Sequence, residues 1–89
     1  MPTREVTISN KLGLHARAAA KLVNISNGYN AEVTLEKKGQ KIHGKSIMGV
    51  MMLAASQGTT IRITVSGEEE DEALRSLVDL IDDKFGEPE

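Results

Sequence analysis

Four short runs of this chain alternate apolar and polar residues, and each run offers only one apolar face. They are Arg4–Ser9 with Val6 and Ile8, the segment with Ala31, Val33 and Leu35, Gln40–His43 with Ile42, and Thr60–Val65 with Ile61, Ile63 and Val65. A strand that is apolar on one side belongs in a sheet covered on one side, which favours antiparallel pairing with the other face in water. The intervening segments have helical spacing. The first runs from about Ala16 to Asn27, with Ala16, Ala19, Ala20 and Val23 on one face, and Asn27-Gly28 closes it with glycine at the left-handed C-terminal position. The second begins after Ser46, whose hydroxyl suits an N-cap, and runs from Ile47 to about Ala54 with Val50, Leu53 and Ala54 turned inward. The third follows Gly67 with an acidic opening, Glu68 to Asp71, and carries Leu74, Leu77, Val78, Ile81 and Phe85 on its apolar face. Lys37-Lys38-Gly39 is a hairpin turn, and the tail Gly86-Glu87-Pro88-Glu89 is expected to fray. The order βαββαβα predicts an α+β fold, a four-stranded antiparallel sheet with three helices on one face.

Eighty-nine residues allow one domain, taken here as 1–89, with a modest core. The chain has no cysteine, which removes disulfides, thiolate metal sites and cysteine nucleophiles. A net charge of −2 lacks the basic stripe of a nucleic-acid binder, and Tyr29 and Phe85 are too few aromatics for a base-stacking platform. No apolar run is long enough to cross a bilayer, so no membrane insertion is expected, and no signal peptide precedes the first strand; a cytoplasmic protein is the expectation. His15 and His43 are too few for a metal centre, and no cofactor is implied. The triplet Asn24-Ile25-Ser26 matches a glycosylation acceptor by chance in such a context.

The chemistry concentrates in Asn10-Lys11-Leu12-Gly13-Leu14-His15-Ala16-Arg17. A glycine turn delivers His15 to the start of an alanine-rich helix. Helix N-termini carry unpaired N–H groups and about half a positive charge, so they attract anions and disfavour imidazolium. A neutral imidazole there is a nucleophile, with Nδ1 the attacking nitrogen. A phosphoryl group it accepted would be received by the amides of Ala16 and Arg17 and by the planar Arg17 guanidinium. The same residues also suit an ordinary helix cap beside an exposed arginine.

Around Ile47, Met48, Gly49, Val50, Met51, Met52 and Leu53 the second helix is apolar on almost every side, more than one sheet can cover. Ile47, Met48 and Met51 are therefore expected at the surface, as an adaptable patch for partners, with Gly49 keeping the surface low. Phosphorylation of Ser46 would be tolerated at the positive helix end and would set about two negative charges beside that patch. Residues 39–46 match G-x-x-x-x-G-K-[ST] formally, but Gly39 falls in a hairpin turn and 40–43 alternate as a strand, so the match is accidental.

Leu12-Gly13-Leu14-His15-Ala16-Arg17 with Ala18-Ala19-Ala20 resembles the active-site signature of the HPr family, the histidine-containing phosphocarriers of the phosphoenolpyruvate-dependent phosphotransferase system. Gly44 to Leu53 is similar to that family's second segment, which carries a regulatory serine. The likeness spans essentially the whole chain. It implies an HPr-like open-faced β-sandwich and a carrier that is a substrate of phosphotransferases and not itself an enzyme. Enzyme I would phosphorylate His15, Arg17 would steady the group, and an enzyme II A component would receive it, in sugar uptake or nitrogen-linked regulation. It further implies Ser46 as the target of an HPr kinase/phosphorylase, a docking surface of Leu14, Ala20, Ile47, Met48, Gly49 and Met51, and a monomer. Ala18 stands where many members have proline, a change the first helical turn tolerates. The Ala18-Ala19-Ala20 and Met48 to Met52 runs look more like the nitrogen-related branch. The reading from another class is a regulatory binding module that docks through Met48 and Met51 without carrying phosphate; a third is a nucleotide binder using residues 39–46.

Overall fold

A computed structural model describes all residues, 1–89. Strands β1 (Thr3–Thr7), β2 (Ala31–Lys37), β3 (Gln40–His43) and β4 (Thr60–Gly67) alternate with helices α1 (Ala16–Asn27), α2 (Ile47–Met52) and α3 (Glu70–Asp82), and a short turn, Lys84–Gly86, follows. The sheet order is β1-β4-β2-β3, every pair antiparallel. The register sets apolar residues opposite one another, Val6 with Ile61, Val33 with Val65 and Leu35 with both Ile63 and Ile42. This alignment follows from the period of two: a slip by one residue would turn each strand's whole apolar set to water. The other face is wet. Thr3 bonds Thr64 and Thr7 bonds Thr60 across it, and Arg62 lies between Glu5 and Glu36.

One core cluster joins the inner sheet face to the helices, with Ile8, Leu22, Leu35, Ile63, Leu77, Ile81 and Phe85 fully covered. Each such side chain contributes about 1.5–3 kcal/mol by leaving water. The hairpin between β2 and β3 turns on Lys38 and Gly39, both at positive φ (50° and 84°), as a two-residue turn matched to strand twist requires.

Several boundaries and faces differ from the sequence expectations. The buried side of α1 is Ala18, Ala19, Leu22, Val23 and Ser26; Ala16 is exposed and Ala20 half-buried. The alanine run hid the register, because Leu22 rather than Ala16 or Ala20 fixes which side carries the larger apolar area. Gly28 closes α1 in a right-handed conformation (φ −77°), its N–H bonded to the carbonyl of Ile25. Helix α2 ends at Met52, and Ala54 is exposed at φ +52°, not buried. The Lys37 ammonium caps that end, donating to the carbonyls of Leu53 and Ala54. Ser26 is buried inside α1 with its hydroxyl bonded to the Leu22 carbonyl, so the Asn24-Ile25-Ser26 triplet is part of a regular helix and its serine is turned into the core.

The largest difference is the tail. Phe85 is not the end of the α3 face but lies beyond the helix, fully buried, with Lys84, Phe85 and Gly86 all at positive φ (56°, 57° and 77°). That left-handed turn reverses the chain, and residues 87–89 do not fray: they pack beside the start of α1.

Candidate phosphoryl-acceptor site at the start of the first helix

The loop before α1 is set by Asn10 and Gly13. Asn10 is fully buried and donates through Nδ2 to the Gly13 carbonyl at 2.8 Å, while the Leu14 N–H bonds to the Ala55 carbonyl at 2.9 Å. Gly13 has φ +69° and lies so close to the β4-side loop that a Cβ would come within 2.6 Å of the Ala55 oxygen. The loop thus delivers His15 as the N-cap of α1, with extended backbone angles.

His15 Nδ1 accepts a hydrogen bond from the Arg17 backbone N–H at 3.2 Å. An accepting Nδ1 places the ring proton on Nε2, and Nε2 faces a carboxylate oxygen of Glu87 at 2.5 Å. Both ends of the ring therefore fit one neutral tautomer whose Nδ1 lone pair is directed at the helix amides. The Ala16 N–H, first in the helix, has no acceptor within it, and α1 has no carboxylate in its first turn. Arg17 is exposed and its guanidinium enters no ion pair or side-chain hydrogen bond. Lys11, Leu12, His15, Ala16, Arg17 and the tail carboxylates line one open concavity. The hydrogen bonds from His15 and then Asn10 hold the Glu87 carboxyl below its ordinary range, against the opposing effect of partial burial.

The second segment matches expectation in part. Ser46 caps α2, its hydroxyl accepting from the Gly49 N–H at 3.1 Å. Ile47, Met48 and Met51 are exposed, and Met52, which was not singled out, is exposed by 66%. Leu14, proposed as part of a docking surface, is instead in the core, because its backbone is drawn under the Ala55 carbonyl. Ala20 is half-buried. Gly49 is half-buried and faces β3, where a Cβ would meet the His43 carbonyl and Ile42 at 3.4 and 3.6 Å, ordinary contact distances, and so points away from the outer surface. His43 is exposed on β3, and residues 39–46 form a hairpin turn, strand and cap, not a phosphate-cradling loop. Sequence reasoning missed Glu87, Asn10 and the exposed Leu12. The available signal was Phe85, an apolar residue too large to leave in water beyond the last helix.

The site is shallow and open, with one imidazole at a helix mouth whose Nδ1 faces the helix amides, a geometry suited to meeting a group presented by another macromolecule. The family model described as "PTS HPr component phosphorylation site" matches residues 2–83. A phosphocarrier protein HPr from Pseudomonas aeruginosa is 52% identical over the whole of both chains, and a phosphocarrier protein NPr from Shewanella violacea is 43% identical over 94% of this chain and 92% of its own. The crystal structure of an HPr from Thermoanaerobacter tengcongensis superposes with a TM-score of 0.96 at 43% identity, covering both chains fully. The chain belongs to the HPr family of phosphocarrier proteins. It is a carrier of phosphoryl groups in the phosphotransferase system, a substrate of transferases and not a catalyst, and a phosphate-free docking module is not favoured.

Proposed function

We propose that His15 Nδ1 is the atom that carries the phosphoryl group, received from phosphorylated Enzyme I and passed to a histidine of an enzyme II A component. The observation that carries this reading is the hydrogen bond from the Arg17 N–H to Nδ1, which aims the lone pair at the helix mouth. As a phosphoryl group arrives, that N–H and the Ala16 N–H are positioned to bond its oxygens, and the free Arg17 guanidinium adds a charge-assisted contact. Such a transfer needs positioning and charge stabilisation more than covalent chemistry from the protein.

Exposed Ile47, Met48 and Met51, with Met52 on the same short helix, supply the apolar docking surface for both partners in turn. Ser46, exposed at the cap of α2, is the regulatory acceptor for an HPr kinase/phosphorylase. The protein acts in the cytoplasm as a monomer, in sugar uptake, nitrogen-linked regulation or both.

Mixing the protein with Enzyme I and phosphoenolpyruvate should add an acid-labile phosphoryl group, and His15→Ala should accept none. Acid-stable labelling, or labelling that survives His15→Ala, would overturn the assignment.

A further inference from the structure

The C-terminal tail is built into the site. Phe85, fully buried, anchors it, and the left-handed turn at 84–86 is closed by the Gly86 N–H to Asp83 carbonyl and Glu87 N–H to Lys84 carbonyl bonds, both 2.9 Å. The Lys21 ammonium on α1 donates to the Phe85 carbonyl, and the Lys11 N–H bonds the Glu89 carbonyl at 3.0 Å. Between these ties, Glu87 uses both carboxylate oxygens. Oε1 accepts from Nδ2 of the buried Asn10 at 3.1 Å, and Oε2 accepts from His15 Nε2. The same Asn10 amide holds the Gly13 carbonyl. One buried side chain thereby orients both the carboxylate and the loop that presents the imidazole.

We infer that Glu87 is a positioning residue for phosphoryl transfer at His15, holding the Nε2–H tautomer and compensating the charge that develops on the ring. The inference rests on the reading of His15 as the phosphoryl acceptor. In the step, the Nδ1 lone pair forms a bond to phosphorus while the donor's nitrogen–phosphorus bond breaks and its electron pair returns to the donor ring. The proton stays on Nε2, so the phosphorylated imidazole gains positive charge, which the Glu87 carboxylate faces from the side opposite the phosphoryl group. A nucleophile–imidazole pair oriented by a third, anionic group follows the same logic in other transferases and hydrolases. When the group is handed on, the charge disappears and the original tautomer is restored. Glu89 has no such role, since its side chain pairs only with the exposed Lys11, at 3.6 Å.

The test uses the full-length chain with Glu87→Ala, Glu87→Gln and Glu89→Gln, phosphorylated by Enzyme I and phosphoenolpyruvate. Glu87→Ala should lower kcat about tenfold with the half-saturating concentration unchanged. Glu87→Gln, which keeps an acceptor but loses the charge, should fall between, and Glu89→Gln should match wild type. Proton NMR should show a slowly exchanging Hε2 resonance of His15 in wild type that Glu87→Ala lacks. Wild-type labelling with both Glu87 variants keeping pace would overturn this inference alone; wild-type protein that accepts no phosphoryl group would overturn the carrier reading as well.

Discussion

Gly13 lies directly beneath the carbonyl of Ala55, in a left-handed conformation (φ +69°) that leaves no room for a side chain. The close approach lets the following residue, Leu14, bond that same carbonyl, and it fixes where His15 begins α1. Gly13→Ala combines positive φ with a backbone clash and should cost about 3 kcal/mol. A urea titration would show the midpoint fall, and phosphorylation of the folded fraction should slow, because the loop that delivers His15 must shift.

Phe85 connects the core to the tail. Phe85→Ala should destabilise the protein by about 3–5 kcal/mol through the cavity it leaves. It should also release Glu87 from His15, so the Hε2 resonance should disappear in a variant that still folds at low temperature. A variant that lost stability but kept that resonance would show that Lys21 and Asn10 suffice to seat the tail.

Arg17 has no structural partner, so Arg17→Ala should leave the melting temperature nearly unchanged, within about 0.5 kcal/mol of wild-type stability. Transfer from Enzyme I should slow about tenfold through loss of a charge-assisted contact to phosphate. An unchanged rate would remove Arg17 from the chemistry.

At the second helix, Ser46→Ala removes the hydroxyl that accepts from the Gly49 N–H and should cost about 1 kcal/mol. Ser46→Asp keeps a capping oxygen and should retain near wild-type stability. It should nonetheless raise the half-saturating concentration for an acidic partner, as expected if charge beside Met48 and Met51 regulates docking. Thermal melts and steady-state phosphorylation separate the two effects.

The lowered pKa of Glu87 gives a defined pH response. The carboxyl titrates lower in the folded chain than its ordinary value of 4.5, so the unfolded chain binds its proton first as pH falls. Its stabilising contribution is therefore full above about 4.5 and is lost as pH falls through the folded value. Glu87→Gln should flatten that part of the acid limb, below about 4.5, and leave the pH dependence near neutrality unchanged. Identical acid limbs for the two proteins would show that the carboxylate makes no net contribution to folding.

Much of this protein is readable from neighbouring residues. Strand alternation, the Lys38-Gly39 turn and the Ser46 cap are short-range features, in which propensity and burial act within a few positions, and each lies where expected. His15 as an N-cap is equally local, since the glycine turn and the alanine run flank it directly. The side of α1 that would be buried was harder to read, because a run of alanines carries almost no contrast in apolar area until Leu22 and Val23 decide it.

Glu87 lies 72 residues from His15 along the chain, and Phe85 beside it signals only that the tail is anchored, not that its carboxylate reaches the imidazole. Tertiary structure decided it: the core accepts Phe85, the accompanying left-handed turn reverses the chain, and the buried Asn10 receives the carboxylate. The sequence by itself determined the strands, the helices and the imidazole at a helix mouth, because those depend on periods and caps spanning only a few residues. Only the packed molecule decided what stands behind that imidazole, because a long-range contact depends on how the remaining side chains fill the core.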